Sequence, residues 1–346
     1  MALHVGLGLF TAQLPPGTSR TFAQEYRETL DLARLAETLG FDSVWVSEHH
    51  GSSDGYMPSL LPTLAALAAA TDHVKLGTGV LLTPFHHPLR LAEDAATVDL
   101  ISGGRLILGL GLAWREEEFR MFGVPLKERV RRTVETIDIL RLAWTGERFS
   151  YDGKIYSFDQ VRVMPPPATD QGPPIWLAGS AEPAIRRAGR ISDGYIRTRG
   201  GDIDRMAHDF QIAESGARNA GRNVEALDLA QLQNVFVWDE ADAWEVVKDG
   251  AAHQLGVYGA WDQGADTPGK DLVLPPPDEE RIRRMTPTGS PQEVASALRP
   301  MAEAFAGGRR DFHLIVRLHY PGMDFDTSSR AMELFAERVL PALKGA

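Results

Sequence analysis

Cysteine is absent from the 346 residues. A disulfide-built secreted scaffold, a thiolate zinc site, an iron–sulfur cluster and a cysteine nucleophile are therefore excluded. Positive charge is in deficit: 36 Lys and Arg face 47 Asp and Glu, a net charge of −11. That balance argues against coating nucleic acid or anionic lipid by bulk charge, although a local basic patch could still hold one phosphate. The densest basic run, Arg129, Arg131 and Arg132, falls in an amphipathic stretch and reads as a solvated helix face. Long apolar runs are missing too. The longest, Leu60 to Ala70, is interrupted by Pro62 and Thr63 and falls short of the ~20 residues a bilayer requires. The opening residues have no basic region ahead of their short, Gly-broken apolar run, unlike a secretory signal. The expectation is a cytoplasmic protein with neither membrane nor nucleic acid as partner. No internal repeat and no low-complexity tract is visible.

What is present is a regular alternation. Short β-rich runs at Val5–Phe10, Ser43–Ser47, Val74–Leu82, Leu106–Leu110, Pro174–Ala178, Tyr195–Arg197, Leu227–Trp238 and Phe312–His319 are separated by stretches with helical spacing. The helices are expected to Gly40, from about Pro58, after Pro88, and over Leu126–Trp144, Glu182–Arg190, Asp204–Ala220, Pro291–Phe305 and Ser328–Leu343. Within the Leu126–Trp144 helix, Ile137, Leu140 and Trp144 recur at three- and four-residue spacing and read as packing. Phe149–Val163 reads as a hairpin excursion before strand five, turning at Asp152-Gly153. Eight strand–helix units make a (β/α)8 TIM barrel, an α/β fold in one domain over residues 1–346, the economical reading. A doubly wound dinucleotide fold would need a third glycine after Gly6-Leu7-Gly8, and it is missing. Residues from about 250 to 285, before strand eight, are rich in Gly, Pro and Asp and include Pro275-Pro276-Pro277. They read as an insertion, either a lid over the site or a surface loop.

Barrel chemistry is carried at the C-terminal ends of the strands. Strand two delivers Glu48-His49-His50 there, strand three His86-His87, strand four Leu112, Trp114 and Arg115, strand five Gly179-Ser180 and strand eight Arg317. A lone histidine is most often a satisfied core ring. Four of the ten histidines, however, fall in two adjacent loops, and a carboxylate beside them suits proton transfer near neutral pH. Metal hydrolysis is the weaker use of such a cluster, because strand one ends Gly8-Leu9-Phe10 without the expected His pair. No metal is expected. Gly179-Ser180 before a helix can offer free N–H groups to a phosphate, or Ser180 can simply cap that helix. His50, Trp114 and Arg317 are candidate substrate contacts.

The run Trp45-Val46-Ser47-Glu48-His49-His50, followed by Lys75-Leu76-Gly77-Thr78-Gly79-Val80, His87-Pro88-Leu89-Arg90, Gly104-Arg105-Leu106 and Glu118-Phe119-Arg120-Met121-Phe122-Gly123, resembles the bacterial luciferase-like flavin-dependent monooxygenases. Trp176-Leu177-Ala178-Gly179-Ser180, Thr288-Gly289-Ser290-Pro291 and Pro321-Gly322-Met323 extend the likeness over nearly the whole chain, apart from residues 250–285. The resemblance implies a barrel that binds reduced FMN, or the deazaflavin F420, at its C-terminal mouth. FMN members take the reduced cofactor from a separate flavin reductase and oxygenate a small organic substrate through a flavin C4a-peroxide; F420 members transfer hydride. Some relatives bind flavin without turnover, but an intact His49 beside Glu48 argues against that here. By the same resemblance His49 is the catalytic proton group and Glu48 its neighbour. Gly79-Val80 match a non-prolyl cis peptide against the flavin ring, and Gly179 and Ser180 match the phosphate-binding turn. Leu112 stands where luciferases place a phosphate-binding Arg, so Arg115 or the Gly179-Ser180 turn must serve instead. A homodimer packed near strands two and three is also implied.

Overall fold

The computed structural model describes residues 3–198, 200, 202–266, 272–306 and 311–345. Eight parallel strands form its centre: β1 (Leu3–Phe10), β2 (Ser43–Val46), β3 (Lys75–Thr78), β4 (Leu106–Gly111), β5 (Ile175–Ala178), β6 (Gly194–Arg197), β7 (Asp228–Asn234) and β8 (Phe312–Arg317). Each pairs with its sequence neighbours, β8 pairs with β1, and β3 with β4 closes the ring. The expected barrel is the observed one. Its interior is filled by Trp45, Ile107, Trp176, Ile196, Ala230 and Ile315. Trp45 takes so much of that space that a Cβ on Gly77 would lie 2.2 Å from its ring. Glycine at this strand position is a packing requirement.

The surrounding helices are α1 (Phe22–Thr38), α2 (Leu60–Ala70), α3 (Pro88–Ser102), α4 (Glu116–Met121), α5 (Arg129–Ala143), α6 (Glu182–Ile191), α7 (Ile203–Asn219), α8 (Ala243–Asp262), α9 (Glu279–Met285), α10 (Pro291–Ala306), α11 (Phe325–Leu334) and α12 (Leu340–Lys344). Local signals set their starts. Thr21 and Gln24 form a capping box on α1, and Pro88 occupies the first turn of α3, where its missing N–H costs nothing. Among the described residues no helix is long and apolar enough to cross a membrane.

Several expected boundaries are corrected. The third strand run breaks after Thr78, and Leu81–Leu82 pairs separately with the end of β4. The seventh stops at Asn234, after which Phe236–Val237 leaves the barrel to pair with Thr288–Gly289. The long helix begins at Arg129 after a 3-10 turn at Leu126–Glu128. The last helix is divided by a π turn at Phe335–Val339. The hairpin forms from Phe149–Asp152 and Ser157–Val161, but its turn is longer than Asp152-Gly153. The buried Glu135 carboxylate accepts the N–H groups of Lys154, Ile155 and Tyr156 and so fixes the wider loop.

The largest correction concerns residues 250–285. Their first part belongs to the 20-residue helix α8 and their last part is α9; residues 267–271 lie outside the described residues. Gly250, Gly256 and Gly259 disguise the helix in the sequence. Gly250 is there because a Cβ would press within 2.7 Å of the Cβ of Tyr320.

At the opposite end of the barrel from the loops that follow the strands, Asp228 opens β7. Burial first, then the carboxylates of Asp311 and Asp193, push it up to about 7. The folded chain thus holds a proton that the unfolded chain releases near its ordinary value of 3.8. Stability from that proton is complete below about pH 4 and is lost as pH rises through about 7. Asp228→Asn should leave the melting temperature nearly unchanged at pH 4 and raise it by several degrees at pH 8. A melting curve at each pH checks this, and an equal shift at both would refute it.

Candidate active site

A cavity of about 640 Å³ opens at the C-terminal mouth of the barrel, within the roughly 300–1,000 Å³ typical of small-molecule sites. His49, Glu48, Gly79, Val80, Leu112, Trp114, Gly179, Ser180 and Arg317 all line it. Nine of the ten site residues expected from the sequence are thereby brought to one place. The tenth, His50, is outside the lining: its ring packs between Phe85 and Phe122, with centroids 5.8 and 4.6 Å away.

The loop after β2 is pinned by Ser47 N–H donating to Phe10 and His49 N–H to Met57. His49, only 5% exposed, is enclosed by Trp261, Tyr56, Tyr258 and Trp114 at ring separations of 4.7, 4.9, 5.6 and 6.3 Å. Its Nδ1 lies 2.8 Å from Oε1 of Glu118, which also accepts the N–H of His50 at 2.9 Å. The other Glu118 oxygen is buried and has no partner among the described residues. Glu118 was not singled out from the sequence as a site residue. It stands third in the acidic run Glu116-Glu117-Glu118, which in sequence is indistinguishable from a solvated first helical turn.

Glu48 is differently employed. Its Oε2 accepts Leu82 N–H at 2.7 Å, while Oε1 lies 2.6 Å from His50 Nε2 and 3.1 Å from His86 Nε2. Burial alone would raise its pKa, but the hydrogen bonds of His50 and His86 outweigh burial and hold it at about 2. Both oxygens are committed, so this carboxylate ties the loop after β2 to the loop after β3. It is a clamp in the site wall.

Gly79 and Val80, joined by a cis peptide, form the wall beyond β3. A Cβ on Gly79 would lie 2.6 Å from Leu9 Cδ2, and one on Gly111 2.5 Å from Val80 Cγ2. With Leu9, Leu112, Leu232 and Ile315 they give the cavity long apolar sides. At β5, Ala181 is the N-cap of α6 and no side chain caps the helix. Ser180 does not serve as the cap. Gly179, Ser180 and Ala181, which lead into α6, line the cavity.

Arg115, one of the two expected substitutes for a phosphate-binding arginine at Leu112, is turned away. It donates to the carbonyls of His50 and Asp266 at 3.0 and 3.3 Å and stacks 3.9 Å over Trp261. The cations on the lining are Arg129, Arg281 and Arg317. The former insertion contributes directly: Gln254, Leu255, Tyr258, Gly259 and Asp262 of α8, with Arg281 and Met285 of α9, form one side of the cavity.

The barrel mouth thus has the start of α6 on one side, apolar walls and a buried histidine paired with a carboxylate, in a cavity of a size that suits a small molecule. The comparisons with known proteins agree. Residues 4–307 match the luciferase-like monooxygenase family, and the chain belongs to it. It is 32% identical over 336 residues to the F420-dependent glucose-6-phosphate dehydrogenase of Nakamurella multipartita, with 92% of each chain covered. The oxygenase component of the flavin-dependent trigonelline monooxygenase of Acinetobacter baylyi is 27% identical, covering 93% of this chain and 91% of that one. Among solved structures, monooxygenase RslO1 of Streptomyces bottropensis superposes with a TM-score of 0.82 at 28% identity, covering 98% of this chain and 99% of that chain. The family to which this barrel belongs therefore contains both flavin-dependent monooxygenases and F420-dependent dehydrogenases, all oxidoreductases.

Proposed function

We propose that the protein is a flavin-dependent monooxygenase that uses reduced FMN and O2 to oxygenate a small organic substrate, its reduced cofactor supplied by a separate flavin reductase. The observation that carries this reading is His49, held by Glu118 and enclosed by four aromatic rings at the cavity wall. A reduced flavin that meets O2 in the presence of water loses its electrons unproductively. A site that pairs water exclusion with one fixed proton carrier suits the productive course.

The residues present fit such a cofactor. Its phosphate would rest on the uncapped N-terminus of α6 at Gly179 and Ser180, and its flat ring against Gly79, Val80 and Leu112, all of which line the cavity. When bound, the reduced flavin supplies the electrons that activate O2. The chain's own part is to orient, to exclude water and, through the His49 ring, to take or give a proton. A homodimer on the helices after β2 and β3 belongs to the same reading, and light scattering on purified protein tests it.

A second reading, hydride transfer with F420, is favoured by the dehydrogenase relative at 32% identity. Titrating the protein with reduced FMN and with reduced F420, each then exposed to air in a stopped-flow spectrometer, separates them. Tight binding of reduced FMN, with reoxidation in air slower than that of the free cofactor, supports the monooxygenase. Binding of F420 alone, inert to air, replaces that reading by the dehydrogenase.

A further inference from the structure

Four arginines are buried among the described residues: Arg105, Arg115, Arg197 and Arg317. Three have partners. Arg105 donates to five oxygens, Arg115 to two carbonyls and an aromatic face, and Arg197 to Asp209 and Gln231. Arg317, 4% exposed, has no side-chain hydrogen bond and no carboxylate within 4.0 Å among the described residues, and it lines the cavity. None of its nitrogens is among the fully buried polar atoms that lack a partner, so the guanidinium is open to the cavity with no counter-charge beside it. Such a group is retained where a ligand completes it.

The register fixes where Arg317 acts. It shares the inward face of β8 with Ile315, two residues before it, which belongs to the barrel-interior cluster. It stands opposite Asn234 of β7. Three steps around the barrel separate β8 from β5, so Arg317 is remote from the α6 terminus that suits a cofactor phosphate. β8 instead adjoins β1, which adjoins the His49-bearing β2. The hydroxyls of Tyr56 and Tyr258, 3.0 Å apart, lie in the field of its charge, and both rings touch His49. Of the lining carboxylates, Glu48 is already committed to His50, His86 and Leu82, and Asp262 forms no ion pair with Arg317.

We propose that the substrate carries an anionic group, a carboxylate or a phenolate, that pairs with Arg317 and thereby orients the substrate toward His49. This names the substrate class for the cavity already read as the site of oxidation and rests on that reading for the role of His49, but not on which redox cofactor is used.

Benzoate and its neutral isostere benzamide serve as probes, read by quenching of tryptophan fluorescence, since Trp114 lines the cavity. Benzoate should bind the wild type at least about tenfold more tightly than benzamide. Arg317→Gln should abolish that preference, and Arg317→Lys should retain part of it. Ligand-free Arg317→Gln should also melt within about 2 °C of the wild type, because no hydrogen bond or ion pair of the folded chain is lost with the guanidinium; a structural arginine would give a clear loss. The proposal is overturned if benzoate shows no preference over benzamide in the wild type, if the preference survives in Arg317→Gln, or if that substitution weakens FMN or F420 binding tenfold while leaving the two probes unaffected. The last result would assign the arginine to the cofactor. Failure to bind either cofactor, with the benzoate preference intact, would instead count against the flavin reading alone.

Discussion

Replacing Glu118 by glutamine should lower kcat by about 10²–10⁴-fold, the range lost when general acid–base catalysis is disabled, while the protein still folds. The argument starts from geometry. One Glu118 oxygen takes both the 2.8 Å contact with His49 Nδ1 and the His50 N–H. The carboxylate is buried at the start of α4 and has Arg115 3.7 Å away. With Nδ1–H held by a carboxylate, Nε2 is the ring atom left to exchange a proton with the cavity. A glutamine of the same shape can still accept one hydrogen bond, but it carries no charge to balance an imidazolium and can present its amide N–H₂ to the ring, favouring the wrong tautomer. On the proposed reading Glu118 is a positioning residue, acting through His49. Its distinguishing readout is the ¹⁵N spectrum of the His49 ring, which should show a change of tautomer in Glu118→Gln. His49→Ala should cost at least as much, and the double variant little more than His49→Ala alone, as expected of residues that act as a unit. The rates are to be compared on any substrate that turns over with the reduced cofactor. A Glu118→Gln enzyme with a wild-type rate and an unshifted ring spectrum would sink the assignment.

That pair also shows how far a residue's place at the cavity is legible in the sequence. His49 is legible because β2 is a short apolar strand, Ser43–Val46, and in a barrel the residues just past such a strand face the mouth. Glu118 is 69 residues away from it in the chain. Its acidic neighbours Glu116 and Glu117 mask it, and only burial, a tertiary property, separates it from them. The barrel itself is legible from period alone, because eight apolar runs between helical stretches leave few other ways to bury both faces of a parallel sheet. Helix α8 is missed for the converse reason. Its glycines look like loop residues, yet Gly250 answers to the closeness of Tyr320 on another part of the chain. Composition also misleads about Arg115. Its place, three residues after Leu112, suits a phosphate clamp, but its guanidinium is consumed by two carbonyls and Trp261. In each of these cases the deciding fact is a partner distant in sequence.

The second large effect is expected at Arg105, at the other end of the barrel from the candidate site. Helix α2 ends without a glycine cap: Thr71, its C-cap, is extended, so carbonyls of its last turn point at the barrel floor with no helical partner. Arg105, immediately before β4 and 8% exposed, answers several of them together. Its Nη2 donates to Ala68 and Thr71 carbonyls at 2.9 and 2.7 Å, its Nη1 to Thr71 Oγ1 and the Val74 carbonyl at 2.9 Å each, and its Nε to the Ser102 carbonyl at 2.7 Å. One side chain thereby joins the ends of α2 and α3 to the entry of β3, and its positive charge lies at the negative end of α2. Methionine would fill much of the same volume but leave four buried carbonyls unanswered. The cost should be about 3–5 kcal/mol, since each buried carbonyl left unsatisfied costs about 1–3 kcal/mol, or a fall in melting temperature of roughly 4–7 °C at about 2.1 cal/mol/K of unfolding entropy per residue. Lysine has three donors on a single nitrogen and cannot span five oxygens in fan geometry, so Arg105→Lys should fall between the two. Because β4 runs from this floor up to Gly111 at the cavity, neither change touches the lining. Whatever protein remains folded at 25 °C should bind cofactor as the wild type does, while inactivating faster on heating. A melting temperature within about 2 °C of wild type in Arg105→Met would mean that water replaces the guanidinium at this floor, and that the end of α2 does not depend on the arginine.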